Sequence, residues 1–316
     1  MTLLYSDPLF QQHLTGSHPE KPRRLARILE QLEAGGLDMR CTPRMWKPIE
    51  PKELARLHGA EYIDEVRKYA AAGGGRIEAD TVVSEKSYDA AVLAAGAITD
   101  AVRQVIAGTA KNALCLVRPP GHHALAKAPM GFCLFNNIGC GARAAIDDAK
   151  LDRVLVIDWD VHHGNGTQDM FWEDDQVAFF SSHRSPFYPG TGAATETGAG
   201  KGLGFTRNLP LKFGIEPKEF HAAFQRELTD FCKKIKPQLI LISAGFDAHR
   251  EDPVGSLSLE VEDFTTLSKF VQGLADEYCG GKIVSVLEGG YNIDRTAQSV
   301  AAHLTVLLDA EKGAGG

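Results

Sequence analysis

The stretch that decides the fold is Val154-Leu-Val-Ile-Asp-Trp-Asp-Val-His-His-Gly-Asn-Gly166. It begins with a short apolar run, Val154–Ile157, which is typical of a buried parallel strand and too short for a helix. Side chains alternate along a strand, so Asp158, Asp160 and His162 would point to one side while the backbone stays extended. In open α/β sheets, ligands bind beyond the carboxyl ends of the strands. The stretch therefore predicts a buried strand that ends in part of a metal site.

A purely structural interpretation of the same residues stays open at this point. An aspartate-rich loop can cap the following helix, with His162 and His163 as polar side chains that fill space, and short motifs do match by chance. The choice depends on what the other strands of the chain carry at their ends.

Short apolar strands alternate with helical segments along the rest of the chain. The predicted strands are Leu3–Tyr5, Ala113–Val117, Val154–Ile157, Val177–Phe180, Leu239–Ser243 and Ile283–Leu287. The predicted helices are a segment from His18–Pro22 to about Glu33, Pro51–Ala72, Ser87–Ala107, Asn136–Ala149, Glu216–Ile235, Glu260–Cys279 and about Asp294–Leu308. This alternation predicts an α/β fold with a mostly parallel sheet and helices on both faces. No repeat or linker interrupts it, so we expect a single domain over 1–316 with a short glycine-rich end at Gly313–Gly316.

Composition argues against several classes of partner. The chain has 34 Lys and Arg against 41 Asp and Glu, a net charge of −7, which disfavours nucleic acid as the main partner. Its 6 cysteines are dispersed, as expected for reduced thiols in a cytosol. The amino terminus lacks a signal-peptide pattern, and no apolar run has the length of a membrane span. We therefore expect a cytoplasmic protein without a membrane or nucleic-acid partner, and a homo-oligomer stays open.

Reactive side chains follow four of the predicted strands. The His122–His123 pair, Asp247 and Tyr291 come just after the strands that end at 117, 243 and 287, and the Asp158–His162 segment follows the stretch quoted first. Strands that share a direction deliver such groups to one edge of the sheet. We expect the four groups to form one site.

Asp160, His162 and Asp247 make a carboxylate–imidazole–carboxylate ligand set. Zn²⁺ accepts these N and O donors, and three protein ligands with an open position are typical of a catalytic site. Two carboxylates neutralise the charge of the ion, so further groups are needed to activate water. Asp247 taken alone would also suit a turn or a helix N-cap.

The adjacent histidines and the tyrosine are candidates for those further groups. His122 and His123 lie in a Pro-Pro-Gly loop and are suited to general acid/base work. Asp158 would favour the protonated form of one imidazole, and Asn165 would serve the other without adding charge, which separates the two pKa values. The Tyr291 hydroxyl, after two glycines, could donate a hydrogen bond to a substrate carbonyl. A tyrosine packed in the core is the alternative.

Two aromatic segments are predicted to wall a narrow channel for a slim apolar chain. They are Gly131–Phe132 and Phe187–Tyr188, and the second lies in a long loop predicted at Ser181–Gly204, which is typical of a functional segment. Aromatic residues of this kind also build cores. Arg24 is either a buried arginine that orders the floor of the site or an ordinary arginine on a helix surface.

Five motifs in order resemble the histone deacetylase superfamily, which also holds acetylpolyamine amidohydrolases and acetoin-utilisation proteins. They are Arg118-Pro-Pro-Gly-His-His-Ala124, Gly131-Phe-Cys-Leu-Phe-Asn-Asn137, Asp158-Trp-Asp-Val-His-His-Gly-Asn-Gly-Thr-Gln168, Ser243-Ala-Gly-Phe-Asp247 and Glu288-Gly-Gly-Tyr291. The resemblance extends from His18 to about Tyr291. The Asp158-Trp159 pair and Asn165 look closest to class II deacetylases and their bacterial relatives, since class I members typically have aspartate at the latter position.

The resemblance implies an arginase-like three-layer α/β fold and a zinc-dependent deacetylase, with Fe²⁺ as an alternative metal. It implies that Asp160, His162 and Asp247 bind zinc, that His122 and His123 assist proton transfer, with His123 the favoured general base, and that Tyr291 polarises the acyl carbonyl. It also implies a structural potassium ion, held by Asp158, main-chain oxygens of Asp160 and His162, Ser181 and Ser182. A second monovalent site is suggested by carbonyls near Phe171, Asp174, Val177 and Phe205.

Three functional hypotheses follow from the residues and the resemblance together. The first is hydrolysis of N-acetyl or short acyl amides of lysine side chains in peptides, with an acetylated polyamine or another small acetylated amine as the alternative substrate. The second is a zinc-holding acyl-lysine binding protein without turnover. The third, an arginase-like hydrolase with two metal ions, would need further carboxylate ligands where the chain has Asn165.

Overall fold

The computed structural model describes residues 1–310, so the glycine-rich end at Gly313–Gly316 lies outside the described residues. The strands are β1 (Thr2–Tyr5), β2 (Thr42–Pro43), β3 (Gly75–Arg76), β4 (Val82–Val83), β5 (Asn112–Cys115), β6 (Val154–Asp158), β7 (Val177–Arg184), β8 (Thr206–Leu211), β9 (Leu239–Ala244) and β10 (Ile283–Leu287). The α-helices are α1 (Pro22–Ala34), α2 (Pro51–Leu54), α3 (Ala60–Ala71), α4 (Ser87–Ile106), α5 (Asn137–Arg143), α6 (Asn165–Met170), α7 (Pro217–Ile235), α8 (Val261–Cys279) and α9 (Ile293–Asp309), and a π-helical turn, Ala144–Asp148, continues α5.

One parallel sheet organises the described part of the chain. Its 8 strands run in the order β2-β1-β5-β10-β9-β6-β7-β8, and each neighbouring pair is parallel. The four strands that precede the candidate site residues, β5, β10, β9 and β6, are therefore consecutive in the sheet. All residues of these four strands are buried, as their continuous apolar runs predict.

Helices cover both faces of this sheet. The Thr2 hydroxyl donates to the Leu307 carbonyl of α9, whereas the Tyr5 hydroxyl donates to Asp100 of α4. Side chains three residues apart on a strand point to opposite faces, so α9 and α4 lie on opposite sides of β1. Helix α9 packs against α1 and α8, and α4 packs against α3 and α5. The three-layer α/β prediction is confirmed.

Two predicted segments differ from the structure. The predicted helix Pro51–Ala72 is two helices, because residues 55–59 form turns and the Gly59 N–H donates to the Ala126 carbonyl at 2.9 Å. The predicted loop Ser181–Gly204 begins too early, since β7 continues to Arg184 in register with β8. Strands β2, β3, β4 and β8 were not predicted. Strand β8 contains Pro210, which an edge strand accommodates. No helix within residues 1–310 is both long and apolar enough to cross a membrane.

Candidate metal centre and active site

The chain turns sharply where β6 ends, and short-range hydrogen bonds make this turn. The Asp158 carboxylate accepts the Asp160 N–H at 3.1 Å, and the Asp160 carboxylate accepts the His162 N–H at 2.9 Å. The extended geometry assumed from the sequence therefore ends at Asp158. The turn nevertheless directs the Asp160 and His162 side chains to a common point.

Asp247, after β9, completes a buried cluster at that point. The ligand atoms of Asp160, His162 and Asp247 all lie within 4.8 Å of one another. His162 Nδ1 is 3.0 Å from Asp160 Oδ1 and 3.2 Å from Asp247 Oδ2. Asp247 Oδ1 accepts the Val161 N–H at 2.9 Å, whereas its buried Oδ2 makes no hydrogen bond. A buried carboxylate oxygen that accepts no hydrogen bond and faces an imidazole and a second carboxylate fits a bound cation.

The electrostatics of the cluster favour positive charge. Burial opposes protonation of His162, but the neighbouring Asp160 and Asp247 outweigh it and raise its pKa to about 10. Burial and the charge of Asp160 raise the pKa of Asp247 to about 7. A divalent cation bound between the two carboxylates would supply this positive charge while the His162 imidazole stays deprotonated. The N and O donors present fit Zn²⁺ or Fe²⁺.

The structure brings the two adjacent histidines beside this cluster in unlike surroundings. Their ring centroids are 3.9 Å apart. His122 Nδ1 lies 2.9 Å from Asp158 Oδ2, and although burial acts against it, the carboxylates raise the pKa of His122 to about 10. His123 Nδ1 lies 2.8 Å from Asn165 Oδ1, and burial together with the charge of His122 lowers the pKa of His123. At neutral pH one imidazole is protonated and the other is neutral.

A cavity of about 260 Å³ leads to these groups. It is lined by Asp80, His123, Gly131, Phe132, His162, Phe187, Tyr188, Val254 and Tyr291. The Phe187 ring stacks on His162 at 5.2 Å, and the Tyr188 ring, 38% exposed, meets His123 edge-on at 5.3 Å. All four channel residues predicted from the sequence thus line one narrow cavity.

Glycine is required at several positions around these groups, and Gly131 and Gly289 are two of them. Gly131 has φ +58°, and a Cβ there would overlap the His123 ring. A Cβ on Gly289 would stand 2.5 Å from Asp160 Oδ2 and closer still to Asp247 Oδ2. The backbone passes so close to both carboxylates that no larger residue fits.

Tyr291 lies at the cavity with a buried arginine behind it. The Arg24 guanidinium sits 4.8 Å from the centre of the Tyr291 ring and donates to the carbonyls of Gly290 (2.5 Å) and Glu288 (2.6 Å). Arg24 also pairs with buried Glu20 at 3.0 Å, so it is a core residue and not a surface one. Burial raises the pKa of the Tyr291 phenol, which keeps its hydroxyl protonated and able to donate.

Four residues near these groups have no role predicted from the sequence: Glu288, Asp80, Val254 and Asp252. Glu288 Oε2 accepts the N–H groups of Gly121 (2.7 Å) and His122 (3.3 Å), and burial raises its pKa to about 7. Glu288 directly follows β10, so the strand-end rule could have found it. Asp80 lies in the β3–β4 turn, where no strand of the main sheet ends, and Val254 is an ordinary apolar residue.

The residues expected to hold potassium lie beside β6. Ser181 pairs with Asp158 in the β6–β7 register, and its hydroxyl lies 2.9 Å from His183 Nδ1. The Ser182 hydroxyl is buried without a hydrogen-bond partner. At the second suggested site, the carbonyls of Phe171 and Phe205 accept the N–H groups of Asp174 and Phe179.

Comparison with known proteins agrees with this geometry. Residues 18–307 match the histone deacetylase domain. The chain is 38% identical over 283 residues to the histone deacetylase-like amidohydrolase of Pseudomonas aeruginosa, covering 89% of this chain and 74% of that one. It is 38% identical over 322 residues to the polyamine deacetylase HDAC10 of Homo sapiens, covering 97% of this chain and 48%, about half, of that relative. The crystal structure of the HDA15 HD domain matches with a TM-score of 0.93 and 38% identity, covering 98% of this chain and 88% of that one. The chain therefore belongs to the histone deacetylase family, a family of hydrolytic deacetylases.

Proposed function

We propose that this protein is a zinc-dependent amidohydrolase that removes acetyl or similar short acyl groups from lysine side chains of peptides. One observation carries the proposal. The buried Asp160–His162–Asp247 cluster, in which Asp247 Oδ2 accepts no hydrogen bond, adjoins a narrow cavity that is also lined by His123 and Tyr291.

Asp160, His162 and Asp247 would hold the zinc ion. Zinc bound there supplies Lewis acidity to the amide carbonyl and lowers the pKa of a water molecule. A potassium ion held by Asp158, the carbonyls of Asp160 and His162, and the serines Ser181 and Ser182 would support the ligand turn from behind.

The side chains of the chain itself move the protons. Neutral His123, fixed through Nδ1 by Asn165, accepts the proton of the attacking water at Nε2 and returns it to the departing amine. Protonated His122, paired with Asp158, keeps positive charge beside the reacting groups. The Tyr291 hydroxyl donates a hydrogen bond to the oxyanion that develops from the carbonyl.

The shape of the cavity supports a slim substrate. Phe132 and Phe187 present apolar ring surfaces to the aliphatic chain of an acylated lysine, while Tyr188 stands at the exposed end. Asp80 adds a carboxylate to the lining, which attracts a cationic amine. That charge also suits an acetylated polyamine, and one relative is named a polyamine deacetylase.

A substrate panel tests the proposal. Acetyl-lysine peptides, acetylpolyamines and small acetamides are assayed with zinc or iron restored and metal content measured. Turnover that is highest on the peptides supports the proposal. Turnover that is highest on acetylpolyamines would indicate that an acetylated polyamine, and not an acetyl-lysine peptide, is the substrate. Binding of acetyl-lysine peptides without product on any member indicates a reader. Two transition-metal ions per chain would indicate the two-metal hydrolase.

A further inference from the structure

Asp252 lies in the loop after β9, 5 residues beyond Asp247, and its carboxylate accepts four main-chain N–H groups. Oδ2 accepts from Tyr291–Asn292, at 2.6 and 3.0 Å. Oδ1 accepts from Val254–Gly255, both at 2.9 Å. Asp252 is only 7% exposed. One buried anion therefore joins the loop that carries a candidate metal ligand to the loop that carries the candidate phenol.

The loop that carries Tyr291 depends on such anchors. It follows Gly289–Gly290, and Gly290 has φ +123°, a conformation open mainly to glycine, so the sequence itself gives the loop little stiffness. Arg24 binds the carbonyls of residues 288 and 290, and Asp252 binds the N–H groups of residues 291 and 292. A cation and an anion thus hold successive peptide groups from two sides.

Further contacts tie the same two loops together outside the cavity. The Asn292 side chain donates to the Glu251 carbonyl at 3.1 Å, and Arg295 pairs with the Glu251 carboxylate at 2.9 Å. The Arg295 and Glu251 side chains are about 40% exposed, so screening by solvent weakens their ion pair. Buried hydrogen bonds to a charged acceptor are stronger, which makes Asp252 the main link.

We propose that Asp252 is a positioning residue that fixes the Tyr291 hydroxyl relative to the Asp160–His162–Asp247 cluster. This rests on the proposed function. Asp252 Oδ1 also accepts the N–H of Val254, which lines the cavity. The same carboxylate therefore positions both the cavity lining at Val254 and the Tyr291 phenol.

Asp252→Asn tests the proposal, because the amide keeps one acceptor oxygen and turns an NH₂ group towards two N–H donors. We expect kcat on the best substrate of the panel to fall about 10- to 100-fold, as for a displacement of about 1 Å. KM should stay within about 3-fold and zinc at one per chain. In a Tyr291→Phe background, where no hydroxyl remains to be positioned, Asp252→Asn should lower kcat less than about 3-fold. An unchanged kcat in the single variant, or losses that multiply in the double variant, would overturn the proposal.

Two further variants keep the test decisive. Asp7→Asn is the matched control, because Asp7 also accepts a main-chain N–H, that of Leu9 at 2.8 Å, and does not line the cavity; its kcat should be unchanged. If Asp252→Asn does not fold, Asp252→Glu keeps the charge and shifts the oxygens. Asp252→Glu should lower kcat in the wild-type background but not further in the Tyr291→Phe background. A wild-type kcat in Asp252→Glu, or a double variant in which the two losses multiply, would contradict the proposal.

Amide hydrogen exchange separates this inference from the proposed function. Asp252→Asn should speed exchange in residues 253–256 and 290–293, and Asp7→Asn should leave both segments unchanged. Unaltered exchange in Asp252→Asn would refute the link between the loops. Failure of the wild-type protein to hydrolyse any amide would refute the proposed function while the exchange result still stands.

Discussion

Gly289→Ala should weaken zinc binding while leaving the fold intact. The added Cβ would stand 2.5 Å from Asp160 Oδ2 and 2.7 Å from Asp247 Cγ. Favourable non-bonded contacts begin at about 3.5 Å, so both carboxylates must retreat by about 1 Å. Metal sites hold their ligand distances to about 0.2 Å. We therefore expect zinc affinity to fall at least 10- to 100-fold, as when a group that orients a ligand is lost.

The same substitution should cost about 1–3 kcal/mol of stability in the metal-free protein, which is typical of overpacking. Zinc affinity is measured by competition with a chromophoric chelator, and the free energy of unfolding by urea titration. Gly273→Ala is the matched control, because Gly273 lies inside α8 and, apart from the backbone of its own helix, nothing lies within 4 Å of the added Cβ. It should gain about 1 kcal/mol from helix propensity and bind zinc normally. A Gly289→Ala protein with wild-type zinc affinity and turnover would refute the assignment of this cluster as the metal centre.

Three other substitutions have defined outcomes. Tyr291→Phe should lower kcat about 10²- to 10³-fold with unchanged zinc content, as for loss of one oxyanion donor. Burial lowers the pKa of His303 to about 3 against about 6.5 when unfolded. Between pH 6.5 and pH 3 the His303 imidazole therefore takes up a proton when the protein unfolds. The contribution of His303 to the free energy of unfolding is complete above pH 6.5 and is smaller by about 2 kcal/mol at pH 5. His303→Gln should lack this part of the acid sensitivity. Glu20→Gln should destabilise by about 3–5 kcal/mol, because it removes the buried anion between Arg24 and Arg118.

Each of these outcomes can fail in a recognisable way. Full turnover in Tyr291→Phe would remove the phenol from the mechanism. Urea titrations at pH 7.5 and 5.0 that give wild type and His303→Gln the same drop in stability would contradict the buried neutral imidazole. A loss below about 1 kcal/mol in Glu20→Gln would show that solvent or another group compensates the two arginines.

Local sequence patterns predicted six of the eight strands of the main sheet, β2 and β8 being missed, and they predicted which side chains follow the strands. Continuous apolar runs predicted β6, β9 and β10, and the position of polar residues just after these strands selected Asp160 and Asp247. Both signals involve only residues that are close together in the sequence. The four strands that precede the site residues are consecutive in the sheet, a placement that the sequence left open.

The features that sequence reasoning missed depend on contacts between distant residues. Asp252 receives N–H groups from residues 39 and 40 positions away, and Gly59 ends a helical pattern by bonding to Ala126. Strand β8 carries a proline that only an edge position permits, and the edge is defined by strand order. None of these contacts leaves a periodic signal along the chain.

The hydrogen bonds of β10 have a consequence for the order of events during protein synthesis. Gly289 donates to Asp160 at 2.8 Å, and Glu288 accepts from Gly121, 167 residues earlier. Both contacts form only after the β10 segment has left the ribosome and inserted between β5 and β9. A nascent chain that already exposes His162 and Asp247 therefore still lacks the scaffold that orients them, so the metal binding that we propose would belong to the final stage of maturation.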